Sequence, residues 1–241
     1  MTEAPALSIV LPCYNEADNL PPLLAAYAAE WQTQSLPAEL ILVDNGSTDH
    51  TTQVLRRELA RPELAFARAV SVPLNRGFGH GTLTGLQAAR GEVLAFSHAD
   101  MQYKPRDCFD AYRLLMAQPN PTRALVKGKR APRGLPAALV TNTMAALASG
   151  VLLMPLTDIN AQPKVFHRSH LARLHRPPDG FQFDLYVLYT ARRAGLRVLT
   201  VPVVFGRRAH GQSKWAFSFV SRYRTIWATI VYIVKLRLGL A

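Results

Sequence analysis

The chain has 241 residues, a formal net charge of +12 and an apolar fraction of 49%. This length suits one large domain with a small extension, and the apolar content suffices for a full core, which excludes a disordered protein. The charge is uneven, because every charged side chain after Asp184 is basic. The basic C-terminal part predicts an anionic partner, such as a phosphate, a nucleic acid or a membrane surface.

Cysteine usage and the N-terminus bear on the compartment. Cys13 and Cys108 lie in apolar contexts without CxxC or zinc-type spacing, which predicts a reduced cytosolic setting. Residues 1–5 lack the basic region and apolar core of a signal peptide. We therefore expect a cytoplasmic protein, and the basic C-terminal part points to the inner face of a membrane.

In chain order, short apolar runs alternate with segments that have the apolar spacing of helices. This order predicts an α/β fold with a parallel sheet and right-handed crossovers. The predicted strands are residues 7–11, 39–43, 70–72, 93–96, 125–129 and 198–204, with a further strand after Asp158. Residues 136–155 are long enough to span a bilayer, but their polar side chains favour helices that pack on the sheet or line an acceptor groove.

A polar motif, residues 97–102, follows the strand predicted at residues 93–96, where open α/β sheets place their sites. His98, Asp100 and Gln102 alternate, so in an extended segment they share one face. An imidazole, a carboxylate and an amide oxygen on one face can hold a divalent cation. The alternative is a helix-capping carboxylate, but Asp100 lies too far before Pro105 for that role.

The glycine loop, residues 75–81, follows the third predicted strand. Gly79, Gly81 and Gly85 give a GxGxxxG spacing that matches the dinucleotide fingerprint only in part, so it indicates NAD or FAD weakly. Two other interpretations stay open. The glycines allow close packing of helix on strand with a turn at Asn75, or they let backbone N–H groups approach a phosphate or sugar.

Seven short motifs stand in an order that resembles glycosyltransferase family 2, in particular its dolichyl-phosphate mannosyltransferase-like branch. The resemblance implies a glycosyltransferase A-type fold with a central, mostly parallel sheet flanked by helices. It also implies a nucleotide-sugar donor and inverting transfer, often onto a polyprenyl phosphate. Each motif alone is modest, but seven in register are specific. The motifs are residues 11–16, 43–49, 75–81, 98–102, 128–130, 158–164 and 208–214.

The resemblance assigns the nucleotide to the ends of the first strands. Pro12, Tyr14 and Glu16 would stack on and hydrogen-bond the base and ribose, and Asp44 would accept from a base N–H. Gly79 would bring the backbone close to the donor. The alternatives are Tyr14 as a core residue and Asp44 as a turn-forming residue.

At the central motif the family usually has Asp-x-Asp, and His98 stands at the first of these positions. Asp100 matches the second, and Gln102 matches a metal-binding glutamine of the mannosyltransferase branch. The resemblance thus implies a divalent cation, Mg²⁺ or Mn²⁺, that neutralises the donor diphosphate. An imidazole shifts the preference towards Mn²⁺, unless His98 instead hydrogen-bonds the diphosphate or a ligand. The departure also leaves open a non-catalytic nucleotide-sugar-binding protein.

Late basic residues complete the predicted phosphate site. Guanidinium groups bind phosphate bidentately, and hydroxyl and ammonium groups add donors. Together they would hold the donor diphosphate and a phosphate acceptor. The alternative for the late motif is a solvated basic loop. The residues are Arg130, Arg208, Ser213 and Lys214.

The catalytic residues depend on the acceptor. A lipid phosphate needs no strong base, because its second ionisation lies near pH 6. For a hydroxyl acceptor, Asp158 is the first candidate for general base and Asp184 the second, with Arg130 counted as catalytic beside them. Asp184 as a charge at the start of a helix is the alternative.

The last segment, residues 215–241, is treated as a unit separate from a catalytic domain of residues 1–214. It is acid-free and aromatic, and its uncharged run, residues 225–234, is too short to span a bilayer but suits an amphipathic helix at an anionic membrane surface. The alternative is a helix docked on the core or on another subunit of a homo-oligomer. A nucleic-acid partner is disfavoured, because interleaved stacking motifs are lacking.

Overall fold

The computed structural model describes residues 4–131, 135–206, 208 and 219–240. Its strands lie close to the runs predicted from the sequence, and the predicted α/β class is confirmed. They are β1 (Leu7–Cys13), β2 (Ala38–Asn45), β3 (Ala67–Val72), β4 (Val93–Phe96), β5 (Ala124–Arg130), β6 (Lys164–His167) and β7 (Arg197–Val203).

Helices connect most of these strands. The fourth helix shows how local sequence starts a helix. Proline stands in its first turn, and the Asp107 carboxylate accepts from the Lys104 backbone N–H at 3.0 Å. The helices are α1 (Leu20–Trp31), α2 (Thr51–Leu59), α3 (Phe78–Ala88), α4 (Pro105–Met116), α5 (Leu135–Leu152), α6 (Phe183–Arg193) and α7 (Phe219–Leu238).

The strands form one sheet in the order β3-β2-β1-β4-β6-β5-β7. The strands pair in parallel, as expected, except that β6 runs antiparallel to both β4 and β5. Lys164, the first residue of β6, pairs with Phe96 at the end of β4 and with Lys127 in β5. The loop that enters β6 therefore lies at the edge where the parallel strands end, and we call this edge the carboxyl edge.

Both faces of the sheet are covered, which explains why the strands read as continuous apolar runs. Alternate residues of one strand face opposite sides, so Val10 joins one hydrophobic cluster while Ile9 and Leu11 join the other. The cluster around Val10 includes residues of α3, α5, α6 and α7, and the second cluster includes residues of α1 and α4.

Helix α5 buries Ala148 and Leu152 in the same hydrophobic cluster as Val10 of β1, in agreement with the packing interpretation of residues 136–155. Helix α7 docks beside it through buried Ile233 and Leu236. Within the described ranges, none of the helices combines the length and the apolar character needed to cross a membrane. The predicted boundary between residues 214 and 215 lies outside the described residues.

Helix α3 approaches the sheet more closely than any side chain at Gly85 would allow. A Cβ atom there would lie 2.3 Å from Val10 Cγ1 and 2.7 Å from Val43 Cγ2. By contrast, a Cβ at Gly150, inside α5, would meet nothing within 4 Å. The two glycines therefore separate the packing cost of a methyl group from its effect on helix propensity.

Gly85→Ala should destabilise the protein by about 1–3 kcal/mol, because the methyl group overpacks the contact between α3 and the sheet. Gly150→Ala should stabilise it by about 0.5–1 kcal/mol, because alanine loses less backbone entropy in a helix. Urea denaturation followed by circular dichroism measures both. Equal changes in the two variants would contradict the close approach at Gly85.

Candidate active site

The loops after β1 and β2 are bonded to each other at the carboxyl edge. The Asn15 backbone N–H donates to Ser47 Oγ at 3.1 Å, and the Thr48 backbone N–H donates to Asn15 Oδ1 at 2.9 Å. Asn15 has φ of 55°, a left-handed conformation that asparagine adopts more readily than most residues. Two of the motifs found in the sequence thus form one connected surface.

Asp44, the last residue but one of β2, organises the turn that follows. Its Oδ1 accepts from the Ser47 backbone N–H at 3.1 Å, and its Oδ2 accepts from Thr52 Oγ1 at 2.5 Å. The turn-forming interpretation is therefore confirmed, while the base contact stays a prediction. Pro12 and Tyr14, at the end of β1, are both half-buried.

Arg208 joins the first motif to the central one. Its Nη2 donates to Glu16 Oε1 at 3.0 Å and to Asp100 Oδ2 at 3.3 Å. Glu16 also accepts from Asn19 Nδ2 at 2.5 Å. Burial raises the pKa of Glu16, and the contacts with Asn19 and Arg208 offset this only in part. The guanidinium therefore lies between two carboxylates that were assigned to different ligands, the nucleotide and the metal.

The central motif is bent, so the expectation of an extended segment is wrong, while the shared metal site of His98, Asp100 and Gln102 stays a prediction. Met101 has φ of 64°, and the Gln102 backbone N–H donates to Asp100 Oδ1 at 3.2 Å, which closes a local turn. Gln102 Nε2 donates to Gly206 O at 3.2 Å, and the Gly206 N–H donates to Gln102 O at 2.8 Å. The motif is thereby attached to the segment after β7.

His98 lies edge-on between two aromatic rings. Its ring centroid is 5.2 Å from that of Phe78 and 5.8 Å from that of Tyr103. Nδ1 is 4.0 Å from Asp100 Oδ2, and Nε2 is buried with no hydrogen-bond partner in the described part of the chain. Burial lowers the pKa of His98, and the Asp100 carboxylate offsets this only in part. A neutral imidazole with an unused nitrogen suits a metal ligand.

The donor set for a cation is small. Among the residues that the structure describes, no three His, Cys, Asp or Glu side chains come together as a metal site. The predicted set combines the unpaired imidazole nitrogen of His98, one carboxylate from Asp100 and an amide oxygen from Gln102. These groups fit a single divalent cation by chemistry. Arg208 competes for the same carboxylate, since it is bonded to Asp100 Oδ2.

Arg130 and Asp158 form the second charged pair of the edge. The Arg130 backbone N–H donates to Asp158 Oδ2 at 2.8 Å, and Arg130 Nε donates to Oδ1 at 2.8 Å. The guanidinium also lies over the Phe205 ring, with Cζ 5.4 Å from its centroid. Burial alone would raise the pKa of Asp158, but the hydrogen bonds from Arg130 outweigh it and lower the pKa. Asp158 is therefore a weak base in this state.

Asp184 is buried, whereas a general base has to reach the acceptor. It is 1% exposed, and its Oδ1 accepts from Lys164 Nζ at 2.5 Å and from Gln162 Nε2 at 2.9 Å. Burial lowers the pKa of Lys164, and Asp184 opposes that shift. The ion pair holds the loop that enters β6, and this environment disfavours proton transfer from an acceptor to Asp184.

Two buried lysines, Lys127 and Lys164, received no role from the sequence. Lys127 is 2% exposed, and its Nζ donates to Asp158 O at 2.9 Å and to Gly128 O at 3.0 Å. The sequence does indicate a special role for Lys127, because lysine is almost never buried without a partner and Lys127 stands inside an apolar strand. The sequence pattern does not indicate which loop the ammonium contacts.

The glycine loop packs against its own chain. Cβ atoms at Gly77 and Gly79 would lie 2.3 Å from Asp179 O and 2.2 Å from Pro178 O. The His80 backbone N–H donates to Asp179 O at 3.1 Å. These glycines therefore allow close packing of the loop against residues 178–180, and the expected approach of a nucleotide to the Gly79 backbone stays a prediction. Ser213 and Lys214 lie outside the described residues.

Comparison with known proteins identifies the family. The family model described as "Glycosyl transferase family 2" matches residues 8–136. An uncharacterised glycosyltransferase of Mycobacterium tuberculosis is 31% identical over 214 residues, which are 87% of this chain and 89% of that protein. The chain belongs to glycosyltransferase family 2, as the order of its motifs predicted.

Two other relatives carry more specific names. The undecaprenyl-phosphate 4-deoxy-4-formamido-L-arabinose transferase of Edwardsiella ictaluri is 34% identical over 103 residues, 42% of this chain and 31% of that enzyme. The dolichol-phosphate mannosyltransferase of Mycosarcoma maydis is 25% identical over 225 residues, 88% of this chain and 74% of that enzyme. The match thus spans about a third of the first relative and most of the second.

Among solved structures, glucosyl-3-phosphoglycerate synthase from Mycobacterium tuberculosis in complex with Mn²⁺, UDP-glucose and phosphoglyceric acid has the same fold. The TM-score is 0.73 at 21% identity, over 98% of this chain and 81% of that chain. The glycosyltransferase A-type fold expected from the motifs is confirmed.

Proposed function

We propose that the protein transfers a sugar, with inversion, from a nucleoside diphosphate donor to a polyprenyl phosphate at the carboxyl edge. The observation that carries this proposal is that both candidate general bases are already bonded to cationic side chains of the protein. Asp158 is bonded through both oxygens to Arg130, and Asp184 is buried against Lys164. An acceptor hydroxyl would need one of them to take its proton, whereas an acceptor phosphate is already an anionic nucleophile at neutral pH.

The names of the relatives support the same acceptor class. One relative is a transferase to undecaprenyl phosphate and another is a dolichol-phosphate mannosyltransferase. The structural neighbour contains a nucleoside diphosphate sugar and Mn²⁺, which supports a donor of that class and a divalent cation. The base and the sugar of this chain's own donor are open to experiment.

The proposed reaction needs no proton transfer by the protein. An oxygen of the acceptor phosphate attacks the anomeric carbon, the bond from that carbon to the donor diphosphate breaks, and the nucleoside diphosphate leaves with the electron pair. Arg130 and Arg208 would bind the phosphate oxygens, because guanidinium groups match phosphate geometry. A divalent cation held by His98, Asp100 and Gln102 would stabilise the charge on the leaving group.

Transfer should depend on Asp100. With UDP- and GDP-sugars, undecaprenyl phosphate and Mn²⁺ or Mg²⁺, Asp100→Asn should lower turnover about a hundredfold, because a key electrostatic stabiliser is lost. His98→Asp should keep activity and shift the metal preference towards Mg²⁺. Mass spectrometry of the lipid product measures transfer.

Asp110→Asn is the matched control, since Asp110 is a carboxylate on the outer side of α4 that pairs with Arg113. It should leave turnover unchanged. A folded Asp100→Asn variant with the metal response of the wild type would defeat the site assignment. Donor binding without transfer to any acceptor would favour a nucleotide-sugar-binding protein instead.

Membrane association is part of the proposal, and α7 supports it. Its exposed apolar side chains recur every three or four residues and so form one stripe, opposite the buried Ile233 and Leu236. Exposed Arg224, Lys235 and Arg237 lie on the same helix. Apolar and basic groups together suit the surface of an anionic bilayer. The stripe consists of Tyr223, Trp227, Val231, Val234 and Leu238.

Trp227→Glu should weaken binding to vesicles that contain phosphatidylglycerol by about tenfold or more, because it places a carboxylate in the stripe. The matched control is Leu74→Glu, at a side chain 69% exposed in the loop after β3. Vesicle co-sedimentation measures both variants. A wild-type protein that does not bind such vesicles, or equal losses in the two variants, would contradict membrane binding through α7.

A further inference from the structure

Lys127 is a lysine buried within strand β5. The side chain is 2% exposed, and among the described residues its ammonium donates to two backbone carbonyls, Gly128 O at 3.0 Å and Asp158 O at 2.9 Å. Within the described ranges it forms no ion pair with a carboxylate. A buried charge without a counter-charge is costly, so its presence calls for a gain elsewhere.

The neighbouring glycine shows how closely the loop before β6 lies on β5. A Cβ at Gly128 would be 1.9 Å from Gln162 O, and the Gly128 N–H donates to Pro163 O at 2.9 Å. The Ala161 N–H donates to Asp158 O at 3.0 Å, so the Asp158 carbonyl accepts from both Ala161 and Lys127. The Lys127 ammonium thus adds a hydrogen bond between β5 and the loop before β6.

Asp158 is held from both ends by β5. Its backbone carbonyl is bonded to Lys127, and its carboxylate is bonded to the backbone and side chain of Arg130. Asp158 has φ of 41°, at the margin of the left-handed region, and such a conformation persists only where its surroundings fix it. Two residues of one strand therefore set the place of Asp158, and Asp158 in turn orients the Arg130 guanidinium.

We propose that Lys127 is a positioning residue, whose ammonium fixes the Asp158 loop and thereby holds Arg130 in place for the phosphate groups of the substrates. The part that concerns substrates rests on the proposed transferase function. The part that concerns the loop does not, because it is a statement about the ligand-free protein.

The buried ammonium also links the closed loop to pH. Burial lowers the pKa of Lys127 from 10.5 to about 7, and the Lys164 cation adds to this while Asp158 opposes it. An opening of the loop that exposes the ammonium to water would return its pKa towards 10.5, so rising pH by itself favours the closed loop. The charged or titratable groups around Lys127 are Lys164 on β6, Asp158 on the loop, Arg130 on β5, and Asp184 and Arg192 on α6.

Global stability should respond in the same direction. A lysine with a lowered pKa in the folded state binds fewer protons there than in the unfolded chain, so its contribution to stability rises as pH increases from about 7 towards 10.5. A substitution at fixed pH, rather than a change of pH, therefore isolates the contribution of the hydrogen bonds from Lys127.

Hydrogen–deuterium exchange of the peptide that covers residues 158–162 tests whether Lys127 fixes the Asp158 loop. At pH 6, where the ammonium is charged, Lys127→Met should lower the protection factor of this peptide about fivefold relative to the wild type, the equivalent of one hydrogen bond. Lys127→Arg should keep the wild-type protection, because a guanidinium can donate to the same carbonyls and a cavity of about 40 Å³ beside Lys127 offers room.

Leu188→Met is the matched control, since Leu188 lines the same cavity without a hydrogen bond to the loop. It should reproduce the wild-type protection. Wild-type protection in Lys127→Met, or a fivefold loss of protection in a folded Lys127→Arg, would overturn the proposal. The second outcome decides even where Lys127→Met does not fold.

Turnover provides the second readout. With the donor found active and undecaprenyl phosphate, Lys127→Met should lower kcat about tenfold with an unchanged KM for the donor, since misplaced groups affect the reacting geometry. Lys127→Arg should recover the rate. An unchanged kcat in Lys127→Met would overturn the link to catalysis. A wild-type protein without any transfer would refute the proposed function, and the hydrogen–deuterium exchange would then test the role of Lys127 in the loop by itself.

Discussion

The carboxyl edge depends on ion pairs in which cations from other parts of the chain neutralise buried and half-buried carboxylates. The segment after β7, strand β5 and strand β6 each contribute a cation to a carboxylate elsewhere in the chain. Since a carboxylate deprived of its partner in such surroundings is strongly destabilising, these pairs fix the relative positions of the loops. The pairs are Arg208 with Glu16 and Asp100, Arg130 with Asp158, and Lys164 with Asp184.

In the proposed reaction, the same pairs would prepare the edge for an anionic substrate. A diphosphate presents oxygens that can replace carboxylate oxygens at a guanidinium, so its arrival exchanges one anion for another and leaves no cation bare. In the proposed reaction Arg208 would exchange Asp100 for phosphate oxygens, and Asp100 would then be free for a divalent cation. Arg130 differs, because Asp158 and Lys127 hold it against β5. One arginine would thus move with the donor while the other stays fixed.

Much of this architecture could be predicted from local patterns. The strands follow from short apolar runs, and the place of His98 and Asp100 follows from the rule that polar loops end buried parallel strands. The bend at Met101 could not be predicted, because it depends on a hydrogen bond from Gln102 to Asp100 and on contacts with Gly206. The packing of Gly79 depends on residues about a hundred positions later. Long-range contacts of this kind leave no periodic signal in the sequence.

The central claim is that the carboxyl edge binds the donor diphosphate through an exchange of partners at Arg208 and Asp100. The most direct measurement is a crystal structure of the protein soaked with Mn²⁺ and a nucleoside diphosphate, with data collected at the manganese absorption edge. The account predicts an anomalous peak beside Asp100 and an Arg208 guanidinium that has left Asp100 for the phosphate oxygens. A diphosphate bound away from this edge, or an Arg208 that stays on Asp100 with the diphosphate present, would contradict it.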